Sequence, residues 1–305
     1  MSGSRGRERP REYVRQRQVV PELPEVETVR RRLAAAFIGK TFVTVERLEP
    51  AMLRDCRPEE VEEGLPGRRI ERVERVGKFL VVALSGDAYL TLHLGMTGQL
   101  LIGPDDRAPR EVEFHPQALA TSHTRFVFRL VDGDGEHTWL EFRDMRKFGR
   151  LHLTRGAPAL RLGGLGPDAW QGSWDRDYLE ERLRGRTAPL KAFLLDQRHL
   201  AGIGNIYADE ILWWTGLSPL RPSGSLSGEE VTRLAEEIPR RLGEGVRLLG
   251  CSISDFVDTQ GQSGSFQDWL RAYGRHGQAC RRCGCTLVRV VVGGRGTAYC
   301  PSCQH

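Results

Sequence analysis

Apolar residues recur at helical spacing in two parts of the chain, with a two-residue period between them. Over 24–37, Val26, Val29, Leu33 and Phe37 share one helical face, predicting a helix with one buried side. Pro24 suits a first helical position, Glu25 and Glu27 suit the positive end of the dipole, and Gly39 supplies the stop. From 41 to about 154 the runs TFVTVERLE, RRIERVERV, KFLVVAL, AYLTLHL, RFVFRLV, TWLEF and GRLHL are short, β-rich and separated by Gly, Asp and Pro turns. That pattern predicts a β-sandwich or barrel. Residues 155–172 are rich in Gly and Pro and read as a linker. Beyond it, DYLEERLRG, LKAFLLDQRHL, NIYADEILWWTG and SGEEVTRLAEEIPRRLGEGVRLLG predict helices within 173–270, and a short hairpin over 271–305 carries the cysteines. The expectation is an α+β fold of two domains, with a sandwich domain over 21–154. Residues 1–20, almost devoid of apolar side chains, are expected to be disordered.

Length and a 39% hydrophobic share allow a buried core and two domains. The formal charge of +5 is unevenly spread. Six Arg against Glu8 and Glu12 give residues 1–20 a net +4, leaving about +1 for the rest. Yet 271–305 holds Arg271, Arg275, Arg281, Arg282, Arg289 and Arg295 with no acidic residue. A basic face on a near-neutral body fits a polyanionic partner. No apolar run approaches the roughly 18 residues of a membrane span, and nothing resembles a secretory signal.

Five of the seven cysteines lie within 280–303, which favours a reduced, intracellular protein with a metal site over a disulfide framework. Cys280-x-x-Cys283 and Cys300-x-x-Cys303, sixteen residues apart, place four thiolates tetrahedrally around one zinc ion, as structural ribbons do. Cys285 lacks a matched partner. Four protein ligands leave no open position, so the zinc is expected to be structural. Between the knuckles, GGRGTAY carries Arg295, whose flanking glycines allow close approach to a phosphate.

HLAGIGNIYADEIL (199–212) reads as a helix ending near Arg198, a Gly turn, and a new helix with Asn205 as its cap. Exposed N–H groups at such a start bind phosphate, and Lys191 and Arg295 extend this into a phosphate track. Such a turn is more often a plain connection. HLGMTGQL (93–100) and RDMRKFGRL (143–151) display Met96, Arg146 and Phe148 in turns, a composition that can wedge into a base stack. The bland alternative packs Met96 and Phe148 between sheets.

PELPEVETVRR, GKFL, HLGMTGQL, RKFGRL, LGPDAW, GIGNIYADEILW, AYGRHGQAC and the two CxxC pairs together resemble the bacterial formamidopyrimidine-DNA glycosylase family over roughly 21–303. The resemblance implies a β-sandwich with flanking helices joined to a helix–two-turn–helix and zinc-ribbon domain. It also implies a cytoplasmic monomer that flips oxidised bases out of double-stranded DNA. Carried over by motif, Pro21 is the nucleophile and Glu22 the proton-transferring acid. Lys78 and Arg295 assist from the backbone flanking the lesion, with His93, Lys191 and Asn205 as further DNA contacts. Met96, Arg146 and Phe148 fill the vacated base position. The family usually has a second Arg where Lys147 stands, and Lys147 is left without a role. PELPE rather than the PEGPE of endonuclease VIII favours oxidised purines over pyrimidines. SDFVDTQGQSGSF (254–266) matches the loop that covers the damaged base, though a plain loop has the same composition.

A glycosylase that cuts the strand needs an amine to form an imine at the sugar, and an N-terminal amine is far more often unprotonated than Lys at neutral pH. An internal proline nitrogen is a tertiary amide without a free lone pair. The expectation is therefore that translation starts at a misread Val20 codon and that removal of Met exposes Pro21. The alternatives are a non-catalytic lesion-binding protein that retains residues 1–20, and a zinc-ribbon nucleic-acid binder without lesion preference.

Overall fold

The computed structural model describes residues 20–104, 123–158, 160–252, 256, 258–259 and 261–305. Helix α1 (Leu23–Phe37) opens the fold, with Pro24 in its first turn and the Glu22 N–H donating to Glu25 Oε2 at 2.8 Å. Eight strands follow: β1 (Thr41–Leu48), β2 (Ile70–Val76), β3 (Phe79–Leu84), β4 (Ala88–His93), β5 (Gly98–Pro104), β6 (Thr124–Val131), β7 (His137–Asp144) and β8 (Arg150–Arg155). They form two antiparallel four-stranded sheets, in the orders β1-β6-β7-β5 and β2-β3-β4-β8. Leu80, Leu90 and Leu92 from one sheet and Phe42, Phe126, Phe128 and Phe142 from the other share a single core, which makes the pair a sandwich. The phenylalanines stack through it, with ring centroids 4.5 Å (Phe126–Phe128) and 5.0 Å (Phe126–Phe142) apart.

The second domain holds α3 (Arg176–Leu183), α4 (Leu190–Leu195), α5 (Asn205–Thr215) and α6 (Gly228–Arg247), followed by the hairpin of β9 (Val288–Val292) and β10 (Arg295–Tyr299). Ser227 and Glu230 close a reciprocal capping box at the start of α6. Gly293 and Gly294, at φ 57° and 73°, make the two-residue turn that joins β9 to β10.

Three sequence expectations are corrected. Short α2 (Pro58–Gly64) was not expected: its PEEVEEG sequence is mostly acidic and sends only Val61 into the core. Strand β5 is absent from the expected strand runs, although Leu100 and Leu101 are buried on its opposite faces. The helix expected to end near Arg198 stops at Leu195, because the Asp196 carboxylate accepts the Arg198 N–H and turns the chain. Of the proposed covering loop, residues 254, 255, 257 and 260 lie outside the described residues, as do residues 1–19 of the leader.

Helix α1 belongs to both domains. Leu23 packs with Ile203, Ile206 and Leu270 in the helical core, whereas Val26, Val29, Leu33 and Phe37 lie in the sandwich core. A buried ion-pair network supports the junction. Arg75 in β2 bonds to Glu27 of α1 (3.2 Å), to the Gly77 carbonyl (2.9 Å) and to Asp168 in the linker.

Candidate active site and metal centre

Three segments interlock at the domain junction: the start of α1, the β2–β3 turn, and the turn before α5. The Leu23 N–H donates to the Gly202 carbonyl at 3.1 Å. A methyl group at Gly202 would meet Leu23 Cδ1 at 2.4 Å, and one at Gly77 would meet Ala201 Cβ at 2.9 Å. These glycines let three backbones meet where side chains would hold them apart. Glu22 and Lys78 are brought together by this contact, with Pro21 buried immediately before Glu22.

Glu22 caps α5. Its carboxylate accepts the N–H groups of Ile206 (2.8 Å) and Tyr207 (3.3 Å), while Gly204 leaves it the space a Cβ would occupy. This corrects two expectations. Asn205 is the first helical residue rather than the cap, and the anion at this helix start is the protein's own carboxylate. Burial raises the Glu22 pKa, against the pull of Lys78 and of the α5 N–H groups, so its carboxyl group holds a proton more readily than an exposed one. Lys78 is lowered by its own burial, opposed by Glu22, while Arg295 pushes it further down. Glu25, behind Glu22, accepts the Cys251 N–H (2.7 Å) and the Tyr207 hydroxyl (3.1 Å), and burial beside Glu22 pushes its pKa up to about 7.

His93 pairs with Phe79 across β3–β4, the two rings meeting edge to face at 4.7 Å. Burial, then the charges of Lys78 and Arg150, push its pKa down to about 4, so the ring is neutral at physiological pH. Nδ1 accepts the Gly95 N–H at 2.9 Å, which leaves the ring proton on Nε2 as a donor.

The two turns singled out in the sequence pack on each other. A Cβ at Gly95 would meet Gly149 N and Phe148 C at 2.6 Å, so Met96 stands beside the 145–149 turn. Buried Asp144 organises this turn, accepting from the Thr97 hydroxyl, from Arg146 N (3.2 Å) and from Gly149 N (2.8 Å). Lys147 adopts φ 55°, and the Arg146 guanidinium lies 4.8 Å over the Phe148 ring. Phe148 is 43% exposed. The packing of Phe148 between sheets considered above does not occur.

Arg295 is exposed at the start of β10. Asn205 Nδ2 donates to the Gly296 carbonyl at 3.2 Å and so ties α5 to that strand. Lys191 is corrected as a DNA contact. It is completely buried, with Nζ 2.6 Å from Asp209 Oδ1, 2.8 Å from Thr297 Oγ1 and 3.2 Å from the Gly296 carbonyl. An ammonium so enclosed reaches no phosphate.

The sulfurs of Cys280, Cys283, Cys300 and Cys303 lie within 4.8 Å of one another, the only such cluster of possible ligands among the described residues. Tetrahedral zinc–thiolate bonds of about 2.3 Å set sulfurs about 3.8 Å apart, so the cluster fits. N–H groups of Trp213 and Arg282, each 3.4 Å from Cys280 Sγ, suit a thiolate. The ribbon docks on α5 through Glu210, whose carboxylate accepts the N–H groups of Arg271, Ala272 and Tyr273.

Residues 20–151, 165–257 and 277–305 match the family models for the formamidopyrimidine-DNA glycosylase N-terminal domain, its H2TH domain, and a zinc finger found in FPG and IleRS. A protein of Carboxydothermus hydrogenoformans named formamidopyrimidine-DNA glycosylase is 41% identical over 285 residues, 93% of this chain and 100% of the relative. The chain belongs to the formamidopyrimidine-DNA glycosylase family. Among solved structures, a Lactococcus lactis Fpg bound to abasic-site DNA superposes with a TM-score of 0.82 at 33% identity, covering 93% of this chain and 100% of that one. The L. lactis protein bound to DNA containing an oxidised pyrimidine gives 0.81 at 32% identity, with the same coverage. As in this family's zinc finger, the four cysteines hold one structural zinc ion.

Sequence reading alone missed Glu25, Asp144, Asp168 and Asp209. The i, i+3 spacing of Glu22 and Glu25 at a helix start was a usable signal for the first. Asp144 and Asp168 each also bond to backbone N–H groups of the turn that follows them, whereas their partners Thr97 and Arg75, and the Lys191 partner of Asp209, lie far off in sequence.

Proposed function

We propose that this protein is a DNA glycosylase that excises oxidised purines and then cuts the abasic strand through an imine on Pro21. The observation that carries the reading is Glu22, adjacent to Pro21, buried on the α5 N-terminus beside Lys78, with its proton affinity raised. In this scheme the Pro21 amine attacks the anomeric carbon, and the damaged base leaves with the bonding electrons and takes up the proton that the Pro21 nitrogen sheds. Glu22 donates its proton to the ring oxygen as the sugar opens, giving a cationic imine. That charge acidifies the adjacent sugar proton, and its loss expels the 3′ phosphate and, in a second elimination, the 5′ phosphate. Lys78 and exposed Arg295 neutralise flanking phosphates, to which Asn205 can donate a hydrogen bond. Neutral His93 offers its Nε2 proton, and Met96, Arg146 and Phe148 fill the gap in the stack.

The chemistry requires a chain that begins at Pro21, and the family match beginning at Val20 supports that boundary. Protein starting at Pro21 should form a borohydride-stable adduct on a duplex with a single 8-oxoguanine, lost in Pro21→Gly and strongly reduced in Glu22→Gln. No adduct from protein whose intact mass confirms a free Pro21 would sink the proposal. An intact mass that includes residues 1–20 in native protein would instead support a lesion-binding role without catalysis. A pyrimidine-directed activity is the second reading, favoured by the L. lactis complex with oxidised-pyrimidine DNA. Cleavage rates on matched purine and pyrimidine duplexes decide between them.

A further inference from the structure

We infer that Asp209 and Lys191 are positioning residues for Arg295, a proposal that rests on the reading of Arg295 as a phosphate clamp. Among the described residues strand β10 pairs only with β9, in the register Arg295↔Val292, Thr297↔Val290 and Tyr299↔Val288. The two-residue turn makes these the hydrogen-bonded pairs, so the backbone groups of Gly296 and Ala298 point out of the sheet's other edge. A hairpin alone would leave those groups to water and the strand free to twist.

Side chains from α4 and α5 take the place of a third strand. Asn205 Nδ2 and Lys191 Nζ both donate to the Gly296 carbonyl, at 3.2 Å each, and Asp209 Oδ2 accepts the Ala298 N–H at 3.0 Å. Asp209 Oδ1 meets Lys191 Nζ at 2.6 Å, and the third ammonium proton goes to Thr297 Oγ1 at 2.8 Å. Each donor of Lys191 has an acceptor, and both carboxylate oxygens of Asp209 have a partner. Both side chains are almost completely inaccessible. Apolar side chains would hold a hairpin against a helix more cheaply than a buried ion pair. What the pair supplies is direction: it fixes the peptide groups on either side of Thr297, and through them the strand from whose start the Arg295 guanidinium projects. The same α5 that receives Glu22 on its first turn thereby sets Arg295, so acid and clamp share one rigid frame.

The test is a double-mutant cycle on the full zinc-loaded protein, binding a duplex with a tetrahydrofuran abasic analogue across a salt series. Arg295→Ala should weaken binding about tenfold and reduce the log–log salt slope by about 0.9, the signature of one lost phosphate contact. Asp209→Ala and Lys191→Met should each reproduce most of both effects, yet weaken binding less than about twofold when added to Arg295→Ala. Thr297→Val, a smaller change that leaves the ion pair intact, should give about a threefold loss that also vanishes in that background. Zinc content measured by native mass should stay at one ion per chain in every variant. Equal losses with and without Arg295 would overturn the inference while leaving the clamp in place. An unchanged affinity and salt slope in Arg295→Ala would remove the clamp itself, and this inference with it.

Discussion

The tightest constraint on the proposed chemistry is the space at Gly204, and adding one methyl group there tests it. A Cβ at this position would stand 2.2 Å from Glu22 Cδ and 2.5 Å from both Glu22 Cγ and Oε1. The backbone is extended there, at φ −125° and ψ −161°, so alanine adds no conformational strain and the whole effect falls on the Glu22 side chain. Glu22 is only 2% exposed, so its carboxylate has little room to retreat except off the start of α5. Losing its bonds to Ile206 and Tyr207, of which only the first is short, should cost about 2–4 kcal/mol of stability. A displacement of about 1 Å at a reacting group typically costs about 100-fold in rate. Gly204→Ala should therefore cut strand cleavage and borohydride trapping about 100-fold, while affinity for a tetrahydrofuran duplex stays within about threefold. Gly163→Ala, with nothing within 4 Å of the added carbon, is the control and should match wild type. Urea denaturation gives the stability loss and single-turnover cleavage the rate. A Gly204→Ala protein that cleaves within threefold of wild type would refute the claim that this seat holds the acid.

Glu25 gives a pH signature. Its folded pKa of about 7 exceeds the ordinary 4.5, so between those values the folded protein keeps a proton that the unfolded chain has released. Stability from this group is complete below pH 4.5 and should decline by about 3 kcal/mol as pH rises to 7. Urea melts of Glu25→Gln should lose that part of the slope; identical slopes in both proteins would contradict it. Cys280→Ser, or a strong chelator, should abolish zinc binding, shift Trp213 fluorescence and weaken DNA binding while helical circular dichroism persists. Asp144→Ala frees the turn that carries Arg146 and Phe148, and should reduce discrimination between lesion and intact duplex more than it reduces overall affinity. Paired binding titrations with the two duplexes measure this.

What the sequence disclosed tracks how local the cause was. The α1 face, most strands and the four zinc ligands follow from periodicity, turn residues and paired spacing, all within one or two elements. What stayed hidden depends on partners far along the chain. Asn205 has the composition of a helix cap, but Glu22 arrives from 184 residues away and takes that place. Lys191 looked like a phosphate ligand because Asp209, its partner, lies beyond the next turn and is itself engaged with the ribbon. Strand β5 was masked because its first residues complete the Met96 turn.

The shared ownership of α1 also sets a timetable. During synthesis, Pro21 and Glu22 emerge early, but the N–H groups that seat Glu22 belong to Ile206 and Tyr207. At about 5–20 residues per second, the ribosome needs roughly 10–40 s to deliver them. The ribbon that carries Arg295 comes later still. A nascent or truncated chain that ends before α5 therefore lacks the N–H groups that seat Glu22, and one that ends before β10 lacks Arg295.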